Sequence, residues 1–103
     1  MTKQELRNYI DDAYERASKI GLGNAYIDWS EKNELIRNAK YYRKLIIQKE
    51  FPAFKVDCKD EETGKLVWVN ISKDYSLKEI ILILVAKNFY MTRREIGNFI
   101  KNP

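Results

Sequence analysis

The sequence predicts one small α+β domain, with two helices, an antiparallel β-hairpin and two more helices in chain order. Three observations carry that expectation. A helix-start signature occurs three times; strand periodicity is followed by turn residues and a β-branched run; and 103 residues suffice for one core and not for two. The 45% hydrophobic and 33% charged residues place the chain among globular proteins, clear of the disordered class.

Thr2-Lys3-Gln4-Glu5, Ser76-Leu77-Lys78-Glu79 and Thr92-Arg93-Arg94-Glu95 are each written as a capping box. In that motif the hydroxyl accepts from the amide three residues on, and the glutamate reaches back to the cap amide. Each box also has an apolar pair around it, Met1 with Leu6, Tyr75 with Ile80 and Met91 with Ile96, which is the spacing of a hydrophobic staple. The first helix is expected over 3–20, where Leu6, Ile10, Ala13, Ala17 and Ile20 form a narrow apolar seam. Along the same helix Arg7–Asp11, Asp12–Arg16 and Glu15–Lys19 sit four apart and offset one another. Gly21 is expected in the left-handed conformation that ends many helices. Ala25-Tyr26-Ile27-Asp28 is the candidate for a short third strand, near 25–28.

The second helix starts after Asp28 or Ser30 and stops before Pro52, since the residue preceding a proline is pushed out of the helical region. Its core face is Leu35, Ala39, Tyr42 and Ile46. Phe54, Val56 and Cys58 alternate with Lys55, Asp57 and Lys59, which is strand periodicity. Asp60 to Gly64 is turn chemistry, and Leu66 to Ile71 is a second strand, so the two read as an antiparallel hairpin. The third helix covers 77–88; its Ile-Ile-Leu-Ile-Leu-Val run suits a buried strand as well, but the capping box before it favours helix. Being apolar nearly all round, it should be the most buried helix. The fourth helix runs over 93–101.

Composition removes several chemistries. There is no histidine, hence no histidine general base, no histidine metal ligand and no Ser-His or Cys-His pair. The single cysteine, Cys58, allows no internal disulfide and no cysteine-rich zinc site, and reads as a small core residue. Gly21-Leu22-Gly23 lacks the lysine of a phosphate loop, and Asp60-Glu61-Glu62 lacks the spacing of a calcium loop. Asp57-Cys58-Lys59 fits the acid-any-lysine part of a divalent-metal nuclease, which would need a further carboxylate from Asp28 or Glu50. An enzyme is not expected, nor a small-molecule cofactor. The charged N-terminus does not resemble a signal peptide, and the longest apolar run, Ile80 to Ala86, is too short to span a bilayer. A cytoplasmic protein is expected. Lys, Ile, Asn, Tyr and Phe supply 44 of the 103 residues, a bias toward AT-rich codons that suggests a low-GC bacterium or a phage or other mobile element within one.

The net charge of +4 is unevenly placed. Residues 1–20 balance to zero, 21–50 carry +2, 51–72 carry −1 and 73–103 carry +3. On a helical wheel Arg37, Lys40, Tyr41, Lys44 and Gln48 share one arc of the second helix, and no acidic residue lies between Leu35 and Lys49. Lys40 and Lys44 are a like-charge pair four apart, which destabilises a helix slightly. A partner explains such a stripe better than folding does. Cations interleaved with tyrosine suit a phosphate backbone.

Arg93 and Arg94 are a second anomaly, because the macrodipole disfavours cations in the first turn of a helix. An anion placed there would meet both guanidinium groups and free backbone amides. Trp68 is the third. With Phe54, Val56 and Cys58 sharing the core with Val67, Val69 and Ile71, Leu66, Trp68 and Asn70 fall on the opposite sheet face with Lys55 and Lys59, a face the helices are expected to cover. Left bare between lysines, Trp68 would stack a base or anchor a protein. Thr92 to Ile100 resembles the first helix of a helix-turn-helix, but no recognition helix follows before Pro103, so the resemblance implies no family.

The expected function is therefore a small non-catalytic binding protein, meeting nucleic acid or an acidic protein surface through Arg37, Lys40, Tyr41 and Lys44, with Arg93 and Arg94 extending that surface. The alternative is a protein-binding regulator or inhibitor that docks through Trp68, for example against a nucleic-acid enzyme. A nuclease using Asp57 and Lys59 comes third. The apolar seam of the first helix also permits a homodimer.

Overall fold

The computed structural model describes residues 1–21, 26–48, 53–72 and 74–101. Side-chain caps set the four helices. In α1 (Lys3–Ile20) Thr2 Oγ1 accepts from the Glu5 amide at 3.1 Å and its hydroxyl donates to the Glu5 carboxylate at 3.2 Å, while Met1 stays exposed and buries no staple. α2 (Trp29–Ile47) is opened by Asp28, whose carboxylate accepts from the Glu31 amide at 2.8 Å while Glu31 accepts from the Asp28 amide at 3.3 Å. This capping box puts the start at Asp28 rather than Ser30. The box expected at Thr2 closes in one direction only, its Glu5 carboxylate taking the Thr2 hydroxyl and not the amide. α3 (Leu77–Asn88) and α4 (Arg93–Lys101) begin on the Ser76–Glu79 and Thr92–Glu95 boxes, both closed in both directions.

Two local expectations change. Gly21 is not left-handed; its φ of −104° and ψ of 169° are extended. Glycine is required there for closeness, because a Cβ would lie 2.9 Å from the Phe89 carbonyl oxygen and 3.0 Å from Phe89 Cβ. Residues 26–28 form no third strand: Ile27 is buried and Asp28 is committed to capping α2, while Ala25 lies outside the described residues. Helix α2 ends at Ile47 with Gln48 as its C-cap, and the stretch up to Pro52 lies outside the described residues.

Strands β1 (Ala53–Lys59) and β2 (Leu66–Ser72) form a two-stranded antiparallel sheet with Val56 opposite Val69, Cys58 opposite Val67 and Asp57 opposite Trp68. The turn is built by Asp60, whose carboxylate accepts from the Glu62 and Thr63 amides at 2.9 and 2.8 Å, and by Gly64, whose φ of +70° a side chain would oppose. Those bonds hold the Asp60 carboxyl below its ordinary range, the Thr63 amide contributing most.

The core gathers on α3, where Ile80, Ile81, Leu82, Ile83, Val85 and Ala86 are all buried. α1, α2, α4 and β1 pack around it, so an all-round apolar helix has a partner on every side. From the sheet Val56, Cys58 and Ile71 are buried beneath it. The other sheet face, with Asp57, Lys59, Leu66, Trp68 and Asn70, stays exposed; the helices do not cover it, because all of them surround α3. Four residues of the α1 seam, Leu6, Ile10, Ala13 and Ala17, are buried inside the chain at 0–2% exposure, while the fifth, Ile20, is 48% exposed. Two of its charges also turn outward to α2 rather than to each other: Asp11 pairs with Lys32 at 2.5 Å, and Arg7 Nε donates to buried Asn33 at 3.1 Å while stacking on Trp29. Among the described residues no helix is long and apolar enough to cross a membrane.

Candidate functional site

Helix α2 positions its basic residues by packing only one side. Leu35, Ile36, Ala39 and Ile46 are buried, and Tyr42 is half-buried against the same core. Ile36 and Asn33 lie outside the core arc read from spacing. They are covered because α1 crosses the first half of α2, as the Arg7–Asn33 and Asp11–Lys32 contacts show. Beyond that crossing the same side of α2 emerges into solvent, and Lys40, Arg43, Lys44 and Ile47 line a shallow hollow of about 330 Å³ with Gln48.

Arg37, Lys40, Tyr41 and Lys44, the residues expected from sequence, are all exposed. Arg43 joins them, and Ile47 stands 63% exposed at the end of the row. Neither was singled out from the sequence, though Arg43 follows Lys40 by three residues, the neighbouring position on a helix surface. Among the described residues no ion pair or hydrogen bond engages the Arg37, Lys40, Arg43 or Lys44 side chain. From Arg37 to Lys44 the row runs about 10 Å at the helical rise per residue. Four cations of one sign along that length, with no acidic residue between them in the chain, create a local positive potential.

Arg93 and Arg94 are used differently. The anion expected at the start of α4 is the protein's own Glu61, whose carboxylate accepts from the Arg94 amide at 2.6 Å. That bond is the main reason the Glu61 carboxyl sits below its ordinary value. Arg93 Nη2 donates to the Trp68 carbonyl at 2.8 Å, and burial pushes the Cys58 thiol up against the opposing influence of the Arg93 guanidinium. The hairpin folds over the start of α4, so the Arg93 guanidinium and the Arg94 amide serve the hairpin, while the Arg94 side chain is exposed. Nothing in the sequence spacing pointed to Glu61, which lies 33 residues from its partner.

Trp68 is 57% exposed and its neighbour Leu66 is 67% exposed on the bare sheet face. Asp57 and Lys59 share that face. Of the two carboxylates a nuclease centre would borrow, Asp28 caps α2 and Glu50 lies outside the described residues. Among the described residues no group of three or more Cys, Asp or Glu side chains is placed to hold a metal ion. A hollow of about 490 Å³ lies elsewhere, between α1, α2 and α3, lined in part by Tyr14, Glu31, Glu34, Tyr42, Lys87 and Asn88. Within it Asn88 Nδ2 donates to the Tyr14 hydroxyl at 2.9 Å.

No protein-family model matches the chain, and no curated protein and no solved structure matches it.

Proposed function

We propose that the chain is a small non-catalytic binding protein whose outer α2 face receives the phosphate backbone of a nucleic acid. The observation that carries this reading is the acid-free row of exposed Arg37, Lys40, Arg43 and Lys44, none of them engaged within the described residues. Tyr41, 59% exposed among them, supplies a hydroxyl donor or a stacking surface. The arrangement suits contact with backbone charge, since its cations are spread along an exposed helix face. Fluorescence anisotropy of labelled single- and double-stranded oligonucleotides tests it. Wild type binds at low salt and Lys40→Glu/Lys44→Glu does not; equal binding by both removes α2 from the account.

A second reading, a protein-binding regulator or inhibitor, rests on exposed Trp68 beside Leu66. Aromatic anchors of this kind dominate protein interfaces. It predicts a partner whose affinity changes little with salt and is lost on Trp68→Ala.

A further inference from the structure

The outer edge of β2 leads to a proposal independent of the α2 row. The hairpin closes with the Asp60 amide donating to the Lys65 carbonyl at 2.9 Å, which fixes the alternation outward from the turn. Lys59↔Leu66 and Asp57↔Trp68 are then the pairs that exchange no backbone bonds, so Leu66, Trp68 and Asn70 direct their amides and carbonyls away from β1. Two contacts agree: the Trp68 carbonyl accepts from Arg93, and on the far edge of β1 the Lys59 amide donates to the Met91 carbonyl at 3.2 Å. Among the described residues no strand pairs with the β2 edge. An open edge of this kind is a template for another chain.

Below the edge lies a groove against α4. One hollow of about 300 Å³ is lined by Val69, Tyr75, Arg93, Ile96, Gly97 and Ile100, and a second of about 550 Å³ adjoins it at Leu66 and Trp68. Gly97 is the informative residue. Glycine inside a helix is the least stable choice short of proline, and among the described residues nothing calls for it. Its φ is not positive, and a Cβ would meet no atom of the described residues within 4 Å. A close approach from outside would account for it. Arg93, at the mouth of the same groove, sets the charge of what approaches. A second copy pairing through the same edge would bring two Arg93 side chains together, so the groove favours a partner of opposite charge.

We propose that this groove takes an extended acidic peptide segment of a partner protein as a third strand beside β2. The segment's backbone pairs with the Leu66 and Asn70 edge. One of its apolar side chains lies over Gly97 between Tyr75 and Ile100. Its amide takes the Trp68 carbonyl from Arg93, and the released guanidinium receives the segment's carboxylate.

The test pans a displayed random-dodecapeptide library on the wild-type chain and synthesises the enriched peptides. They should alternate apolar residues, carry Asp or Glu, and slow hydrogen exchange at the Leu66 and Asn70 amides. Gly97→Leu and Arg93→Gln, each checked for folding by circular dichroism, should weaken them at least tenfold, whereas Lys40→Glu/Lys44→Glu should bind as wild type. Should Gly97→Leu fail to fold, a peptide N-methylated at alternate residues asks the same question of the wild type and should lose binding. The proposal is overturned if the peptides bind Gly97→Leu or the N-methylated form is as tight as the parent. It is equally overturned if the edge amides are unprotected, or if the chain is a dimer with those amides already protected.

Discussion

Two glycines should respond to the same substitution with opposite sign. At Gly21 the backbone is extended, a conformation alanine adopts freely, so only space decides. The new Cβ would stand 2.9 Å from the Phe89 carbonyl oxygen and 3.0 Å from Phe89 Cβ. Neither atom is the end of a flexible side chain, and Phe89 is pinned by its edge-on contact with Tyr14 at 5.1 Å and by 3% exposure. Forcing an extra carbon into such a site costs about 1–3 kcal/mol, against a gain of about 0.4–1 kcal/mol from a less flexible unfolded chain. The net expectation for Gly21→Ala is about 1–2 kcal/mol of lost stability, a fall in Tm of roughly 4–15 °C for a domain of this size. Gly97→Ala meets nothing within 4 Å inside α4 and should gain about 0.5–1 kcal/mol from helix propensity. Thermal and urea unfolding followed by circular dichroism measure both. Equal or raised stability for Gly21→Ala would refute the packing of α1's end against Phe89.

Three further predictions follow from single residues. Glu61 has its folded pKa held below its ordinary 4.5 by the Arg94 amide, so its contribution is complete above that value and is lost as pH falls through the folded pKa. Glu61→Gln should therefore flatten the acid limb of a stability–pH profile, and an unchanged limb would contradict the α4 contact. Cys58 is 2% exposed and burial raises its thiol pKa above 9.0 despite the Arg93 guanidinium; a thiol reagent should label it many times more slowly in native protein than in urea, and equal rates would place it outside the core. Tyr90 holds a φ of +55° while 73% exposed, a conformation costing an L-residue about 1 kcal/mol. Tyr90→Gly should raise Tm or leave it unchanged, and a large drop would mean the ring packs where the structure leaves it bare.

The elements were legible because their signals are local. Thr2, Ser76 and Thr92 announced their helices, and the alternation of Val56 and Cys58 with that of Val67 and Val69 announced a hairpin with one buried face. What the sequence left open depends on where elements meet. Trp68 was expected under a helix and is 57% exposed, since packing all helices around α3 is a tertiary outcome with no trace in β2 itself. The anion for α4 was foreseen as a ligand and proved to be Glu61, because hairpin and helix are joined only after folding. Gly21 looked like a left-handed terminator, and only the approach of Phe89 gives its reason. The α2 row was readable because an exposed helix face needs nothing but spacing. Arg43 and Ile47 were missed where α1 ceases to cover that side.

The most direct test of the α2 account is the salt dependence of oligonucleotide affinity. With Arg37, Lys40, Arg43 and Lys44 all on phosphates, log affinity against log salt should fall with a slope of about −3 on single strands and about −3.6 on duplex. Lys40→Ala/Lys44→Ala should halve it, leaving about −1.4 on single strands. A wild-type slope near zero, or one that the double substitution leaves unchanged, would contradict the claim that this helix face meets a polyanion.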